Sequence, residues 1–162
     1  MSRRLDLLRQ LRTPSDVFLV LRLLAFAALI PLFLRLKLSK LAVLLEPRAA
    51  LSPPNPITVQ RIGHFVDLVL RVGSPLLRPT CLTRGLTLYY CLTRAGLDVS
   101  MCFGMGKDGE EFIGHCWLVK DGEPFLEARD PRLLFTEIYQ FPVQDRSLSS
   151  YDQLQRRAHQ HL

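Results

Sequence analysis

Residues 79–104, PTCLTRGLTLYYCLTRAGLDVSMCFG, decide the fold because their apolar pattern changes period half-way along. Leu82, Leu86, Tyr89, Tyr90 and Leu92 recur at helical spacing, between a Pro79-Thr80 start signal and a Gly96 stop. They predict a helix from about Cys81 to Ala95. Beyond Gly96, Leu97, Val99, Met101 and Phe103 alternate with Asp98, Ser100, Cys102 and Gly104, the period of a half-buried strand. A second strand is expected over Phe112 to Lys120, and Asp121-Gly122 is a hairpin signal into a third over Pro124 to Glu127. Strands joined by short turns pair antiparallel. The expected fold is therefore α+β, with the Cys81 helix packed on one face of an antiparallel sheet.

Towards the N-terminus, Ile57 to Val72 carries apolar residues at 59, 62, 65, 66, 69 and 70, again a helical spacing, with Thr58 as candidate cap and Gly73 as stop. Glu46 to Pro56 holds prolines at 47, 53, 54 and 56; it cannot continue a helix and reads as an extended linker. Residues 17–36, VFLVLRLLAFAALIPLFLRL, are interrupted only by Arg22, Pro31 and Arg35. Their longest uncharged run, Leu23 to Leu34, falls short of the roughly 20 residues of a spanning helix. Pro31 is expected to divide the segment into helices over about 15–30 and 32–45, with Asp16 or Ser15 near the first N-cap. The expected organisation is a helical hairpin over 1–46, a Pro-rich linker over 47–56 and one domain over 57–162.

A chain of 162 residues that is 48% hydrophobic and 22% charged can fill one core, which excludes a disordered chain and a multidomain one. Lys and Arg outnumber Asp and Glu by 21 to 15, a net charge of +6. That balance permits an anionic partner without requiring one. No nucleic-acid partner is expected, while an apolar helix on a basic chain leaves a peripheral membrane contact open. Cys81, Cys91, Cys102 and Cys116 show no C-x-x-C spacing, so neither a metal nor another cofactor is expected. Met1 to Arg12 is charged rather than signal-like, which points to reduced thiols and a cytosolic protein.

Gly104-Met-Gly106-Lys-Asp-Gly109 matches G-x-G-x-x-G after a strand, but an acidic, strand-like segment follows where a dinucleotide site needs a helix N-terminus. It reads as a glycine-bearing strand connection. Chemistry falls instead to Cys81, placed in the first turn of its predicted helix, where free N–H groups and the helix dipole favour a thiolate. Cys91, Cys102 and Cys116 are expected to be small buried apolar residues. A thiolate nucleophile needs a base and a group to orient that base. His159 and His161 lie in a polar tail and His64 on a separate helix, which leaves His115. The hairpin returns the chain so that residues near 127 lie beside His115. An odd-numbered loop, such as three residues with a bulge at Gly122, pairs 115 with 127; a two-residue turn pairs it with 128. Glu127 and Asp130 are the nearby carboxylates. The residues alone leave two readings open, a Cys81, His115, carboxylate triad or a buried Cys and a structural His.

Taken together, Pro79-Thr-Cys81-Leu-Thr-Arg84-Gly-Leu-Thr-Leu-Tyr, the turn Arg94-Ala-Gly96-Leu, the strand ending in Gly104, Gly114-His115-Cys-Trp117 and Asp121-Gly122 resemble a known family. It is the transglutaminase-like peptidase domain of the lasso-peptide biosynthesis B proteins, leader peptidases of ribosomal peptide natural products. The resemblance covers about residues 57–143 and implies a papain/transglutaminase-like core preceded by apolar N-terminal helices. It implies Cys81 as nucleophile, His115 as general base and then acid, and the residue at 127 as the group orienting His115. The family usually has Asp there, where this chain has Glu127, with Asp130 as the alternative. It commonly has Ser where this chain has Gly85, and Ala where it has Cys116. Implied partners are the precursor leader peptide and a separate leader-recognition protein, with a cyclase as a further candidate. The apolar N-terminal hairpin is the expected docking surface. The alternative from a different class is a non-catalytic transglutaminase-like binding or scaffold module of a peptide-maturation complex.

Overall fold

The computed structural model describes residues 13–33, 35, 45, 54–74, 77 and 79–142. Their elements are α1 (Pro14–Phe33), α2 (Pro56–Gly73), α3 (Cys81–Arg94), β1 (Ser100–Asp108), β2 (Glu111–Lys120), β3 (Glu123–Phe125), a 3₁₀ turn (Pro131–Leu133) and β4 (Thr136–Phe141). Most of the helix expected over 32–45 and of the linker over 47–56 lies outside the described residues, as do His159 and His161.

Each helix starts where a side chain relieves its unpaired N–H groups. Thr13 caps α1 through a reciprocal pair: Asp16 N donates to Thr13 Oγ1 at 3.3 Å, and Thr13 N donates to Asp16 Oδ2 at 2.9 Å. The cap is thus Thr13 rather than Ser15 or Asp16. The break expected at Pro31 is displaced, because Pro31 sits in the last turn, where its missing N–H costs a single bond before the helix ends at Phe33. α2 begins one residue before the expected start: Asn55 accepts from Ile57 N at 3.0 Å and Pro56 takes the first helical position, so Thr58 is not the cap. Thr80 caps α3 by accepting from Thr83 N at 3.1 Å, and Gly96 follows its end at φ 92°.

The four strands run antiparallel in the order β3-β2-β1-β4. One core holds Leu23, Phe26 and Ile30 of α1, Val66 and Val69 of α2, Leu88 and Leu92 of α3, and Met101 and Leu118 of the sheet. Phe26 stacks on Tyr90 with ring centroids 3.9 Å apart, which fastens α1 to α3. By length and composition α1 could cross a membrane, and 33% of its apolar window is buried in the protein.

β1 starts at Ser100, later than the apolar alternation suggested, and continues through Gly104 and Gly106. A Cβ at Gly104 would lie 2.7 Å from the Trp117 ring, and one at Gly106 would lie 2.3 Å from the Leu134 carbonyl oxygen. The glycines therefore serve close packing inside a strand. β4 was not foreseen, because four of its six residues face solvent and leave no buried alternation to read.

Candidate active site

Cys81 is the first residue of α3, so its backbone N–H has no intrahelical acceptor and points out of the helix start. His115 lies in the middle of β2, opposite Gly104 of β1. Its ring is flanked by Phe135 at 5.0 Å and Trp117 at 6.0 Å between centroids. These contacts set the plane of the imidazole.

Glu127 arrives by a route the hairpin register does not provide. Lys120 pairs with Glu123, so the loop has two residues, Asp121 at φ 53° and Gly122 at φ 83°. Both carry the positive φ of a type I′ turn, and the three-residue loop that would set 127 opposite 115 is not formed. Pairing ends at Phe125, and Leu126 at φ 57° turns the chain out of the ladder. Glu127 then meets Arg84, whose Nη1 donates to Glu127 Oε1 at 2.8 Å. The same guanidinium donates through Nη2 to the Leu126 carbonyl at 2.7 Å and through Nε to Asp67 Oδ1 of α2 at 2.8 Å. One side chain joins α2, α3 and the segment after β3.

Asp130, the alternative carboxylate, is engaged elsewhere. It caps the 3₁₀ turn, accepting from Arg132 N at 2.9 Å, and pairs with Arg132 Nη2 at 2.8 Å. It does not line the Cys81 cleft.

That cleft has a volume of about 660 Å³ and brings Cys81, His115 and Glu127 together with Asp67, Arg71 and Arg84. No hydrogen bond joins His115 to Cys81 or to Glu127 among the described residues. The thiol that shares this cleft with Cys81 is that of Cys116, the next residue along β2. Among the described residues no group of three His, Cys, Asp or Glu side chains could hold a metal ion.

Burial raises the Glu127 carboxyl above its ordinary value, against the lowering pull of Arg84 and His115. Burial also opposes the charge on Arg84, but Asp67 and Glu127 outweigh it and the guanidinium titrates above its ordinary value. Cys116 is pushed far up, first by burial and then by the Cys81 thiol.

Sequence reasoning assigned no role to Arg84 or Asp67 and treated Cys116 as filler. A signal for Arg84 existed, since it stands three residues after Cys81 and so shares its face of the helix. For Asp67 none did, because its pairing depends on how α2 packs. Gly85 and Cys116, two departures from the resembled family, prove to be neighbours: a Cβ on Gly85 would lie 3.3 Å from Cys116 Sγ.

A helix that starts on a cysteine, packed on an antiparallel sheet that carries a histidine, defines the class of protein. The sequence pattern of the transglutaminase-like superfamily matches residues 20–140, and the chain belongs to that superfamily. Cysteine peptidases and transglutaminases are both among its members. No curated protein and no solved structure shows a significant match.

Proposed function

We propose that the chain is a cysteine peptidase that removes the leader from a ribosomally made precursor peptide of the lasso type. The observation carrying this reading is that Cys81, His115 and Glu127, from three separate parts of the chain, line one cleft. The superfamily and the motifs around Cys81 and His115 support it. In the reaction His115 takes the Cys81 proton, the sulfur attacks the scissile carbonyl, and the unpaired Cys81 N–H donates to the oxyanion. Collapse expels the amine, which leaves with the proton from His115. Water then attacks the acyl-enzyme, giving its proton to His115, and the thiol is restored. Glu127 Oε2 makes no hydrogen bond among the described residues and is available to the imidazole, while Arg84 holds Oε1. Arg84 is therefore a positioning residue. Contacts of this kind are commonly long in the free enzyme and tighten around substrate.

The reading includes a leader-recognition partner and action in the cytosol, where a nucleophilic thiol stays reduced. Val17, Phe18, Leu21, Leu29 and Leu32 form the exposed apolar face of α1, the docking surface in this reading. Its other face belongs to the core. Phe18→Glu with Leu21→Glu thus tests docking better than deletion of 1–46; unchanged partner binding by this folded variant removes the assignment.

The function itself is tested by incubating the chain, the leader-recognition protein and the precursor peptide, with mass spectrometry of the products. Cleavage that disappears in Cys81→Ala and in His115→Ala is expected. Equal cleavage by Cys81→Ala overturns the reading, and precursor binding without cleavage by the wild type favours the scaffold alternative.

A further inference from the structure

Cys116 is a thiol that peptide cleavage does not use, yet it is built against the one that does. It is 4% exposed, while Cys81 is partly open to the cleft that both residues line. Its sulfur occupies the space on α3 that Gly85 leaves open; a Cβ at 85 would sit 3.3 Å from it. Gly85 stands four residues after Cys81, about one helical turn, so Cys116 packs on the face of α3 that carries Cys81 and lines the same cleft. Solvent thus reaches Cys81, while Cys116 is buried against the same helix at Gly85.

We propose that Cys81 and Cys116 form a site of reversible oxidation by hydroperoxides, in which Cys81 is attacked and Cys116 traps the product as an intramolecular disulfide. The Cys81 sulfur attacks the peroxide, an S–O bond forms as the O–O bond breaks, and the products are Cys81 sulfenic acid and water or an alcohol. The sulfur has lost two electrons and the peroxide has gained them. The Cys116 sulfur then attacks the Cys81 sulfur; the S–S bond forms, the S–O bond breaks, and the hydroxyl leaves with the Cys116 proton as water. Two equivalents of a small thiol reverse the step by exchange, regenerating both cysteines and a small-molecule disulfide. Burial keeps the Cys116 thiol protonated, so the first oxidation falls on the exposed partner. The consequence for activity rests on the peptidase reading, because the disulfide removes its nucleophile; the oxidation chemistry does not.

The test treats the full-length protein with stoichiometric hydrogen peroxide, blocks free thiols with N-ethylmaleimide and maps the cysteines by mass spectrometry without reduction. A Cys81–Cys116 linked peptide is expected, with iodoacetamide labelling of Cys81 lost and then restored by dithiothreitol. In Cys116→Ala, Cys81 is expected to proceed to sulfinic acid that dithiothreitol does not reverse. Sulfinic acid at Cys81 in the wild type without the linked peptide overturns the proposal, whether or not the variant folds. So does equal recovery of Cys81 labelling in wild type and folded Cys116→Ala. A chain that cleaves no precursor and still forms the bond overturns the peptidase reading and supports this one.

Discussion

Arg84 and Arg132 each hold two carboxylates, and the contrast separates the cleft from the edge of the sheet. Arg84 takes Asp67 from 17 residues away and Glu127 from 43 residues away. Arg132 takes Asp130 from 2 residues away and Glu123 from 9. The chemistry is the same and the surroundings differ: the Glu127 side chain is 16% exposed and that of Glu123 is 72% exposed. Water screens and replaces the exposed contacts, so the Arg132 cluster orders a turn and little more. Beside Arg84 it is Glu127 that is largely out of water, with Asp67 as open as Asp130, so losing the arginine strands the Glu127 carboxylate and unties three parts of the chain. The contrast teaches why Glu127, not Asp130, is placed for chemistry: each acid follows its arginine.

The sharpest way to break this comparison is to exchange the fates of the two acids. Glu127→Gln is expected to slow precursor cleavage by about 10²-fold or more, the scale of a misoriented base, with Asp130→Asn at the wild-type rate. The reverse pattern in single-turnover assays would move the orienting role to Asp130.

Stability is next. Arg84→Ala is expected to cost about 2–3 kcal/mol in urea denaturation near neutral pH, as three bonds to a half-buried guanidinium are lost. Arg84→Lys should restore only part of it, since one ammonium cannot span Asp67, Glu127 and the Leu126 carbonyl. A loss no greater than that of Arg132→Ala would make the clusters equivalent.

A third pair sharpens the comparison through pH. Asp16 of α1, almost fully buried, accepts from Arg61 of α2 and from Thr13, and these bonds hold its carboxyl down to about 2 from 3.8. A pKa lower in the folded state stabilises the protein above the unfolded value and loses that contribution as pH falls through the folded one. Thermal melts of the wild type should therefore decline more steeply from about pH 4 to about pH 2 than those of Asp16→Asn. Parallel curves would show that the pair does not tether α1.

The smallest effect is expected from Arg132→Ala, whose denaturation midpoint should match the wild type within error, because Asp130 and Glu123 regain water. A clear drop would show that the exposed cluster holds more than its own turn.

Much of this is legible in the sequence. The Cys81 helix and the β1–β2–β3 order follow from period, caps and turn chemistry, which are local, whereas the glycine stretch expected to connect the strands is itself part of β1 as far as Asp108. Where reading failed, it failed for non-local reasons. β4 lacks a buried face, and Pro31 does not stop α1 where it was expected to. The turn residues allow an odd or an even hairpin loop, and the even one forms. Glu127 still reaches the cleft, because Leu126 leaves the ladder at positive φ, a conformation no pattern of apolar residues announces.

The sequence by itself determined which residues could carry chemistry: a cysteine at a helix start, one histidine on a strand and two acids beyond the hairpin, all set by neighbours in the chain. Only the tertiary structure decided which acid enters the cleft, which arginine holds it and which second thiol shares the cleft with Cys81. Those choices depend on the packing of α2, α3 and β2 across long separations, where burial changes what a charge or a thiol costs.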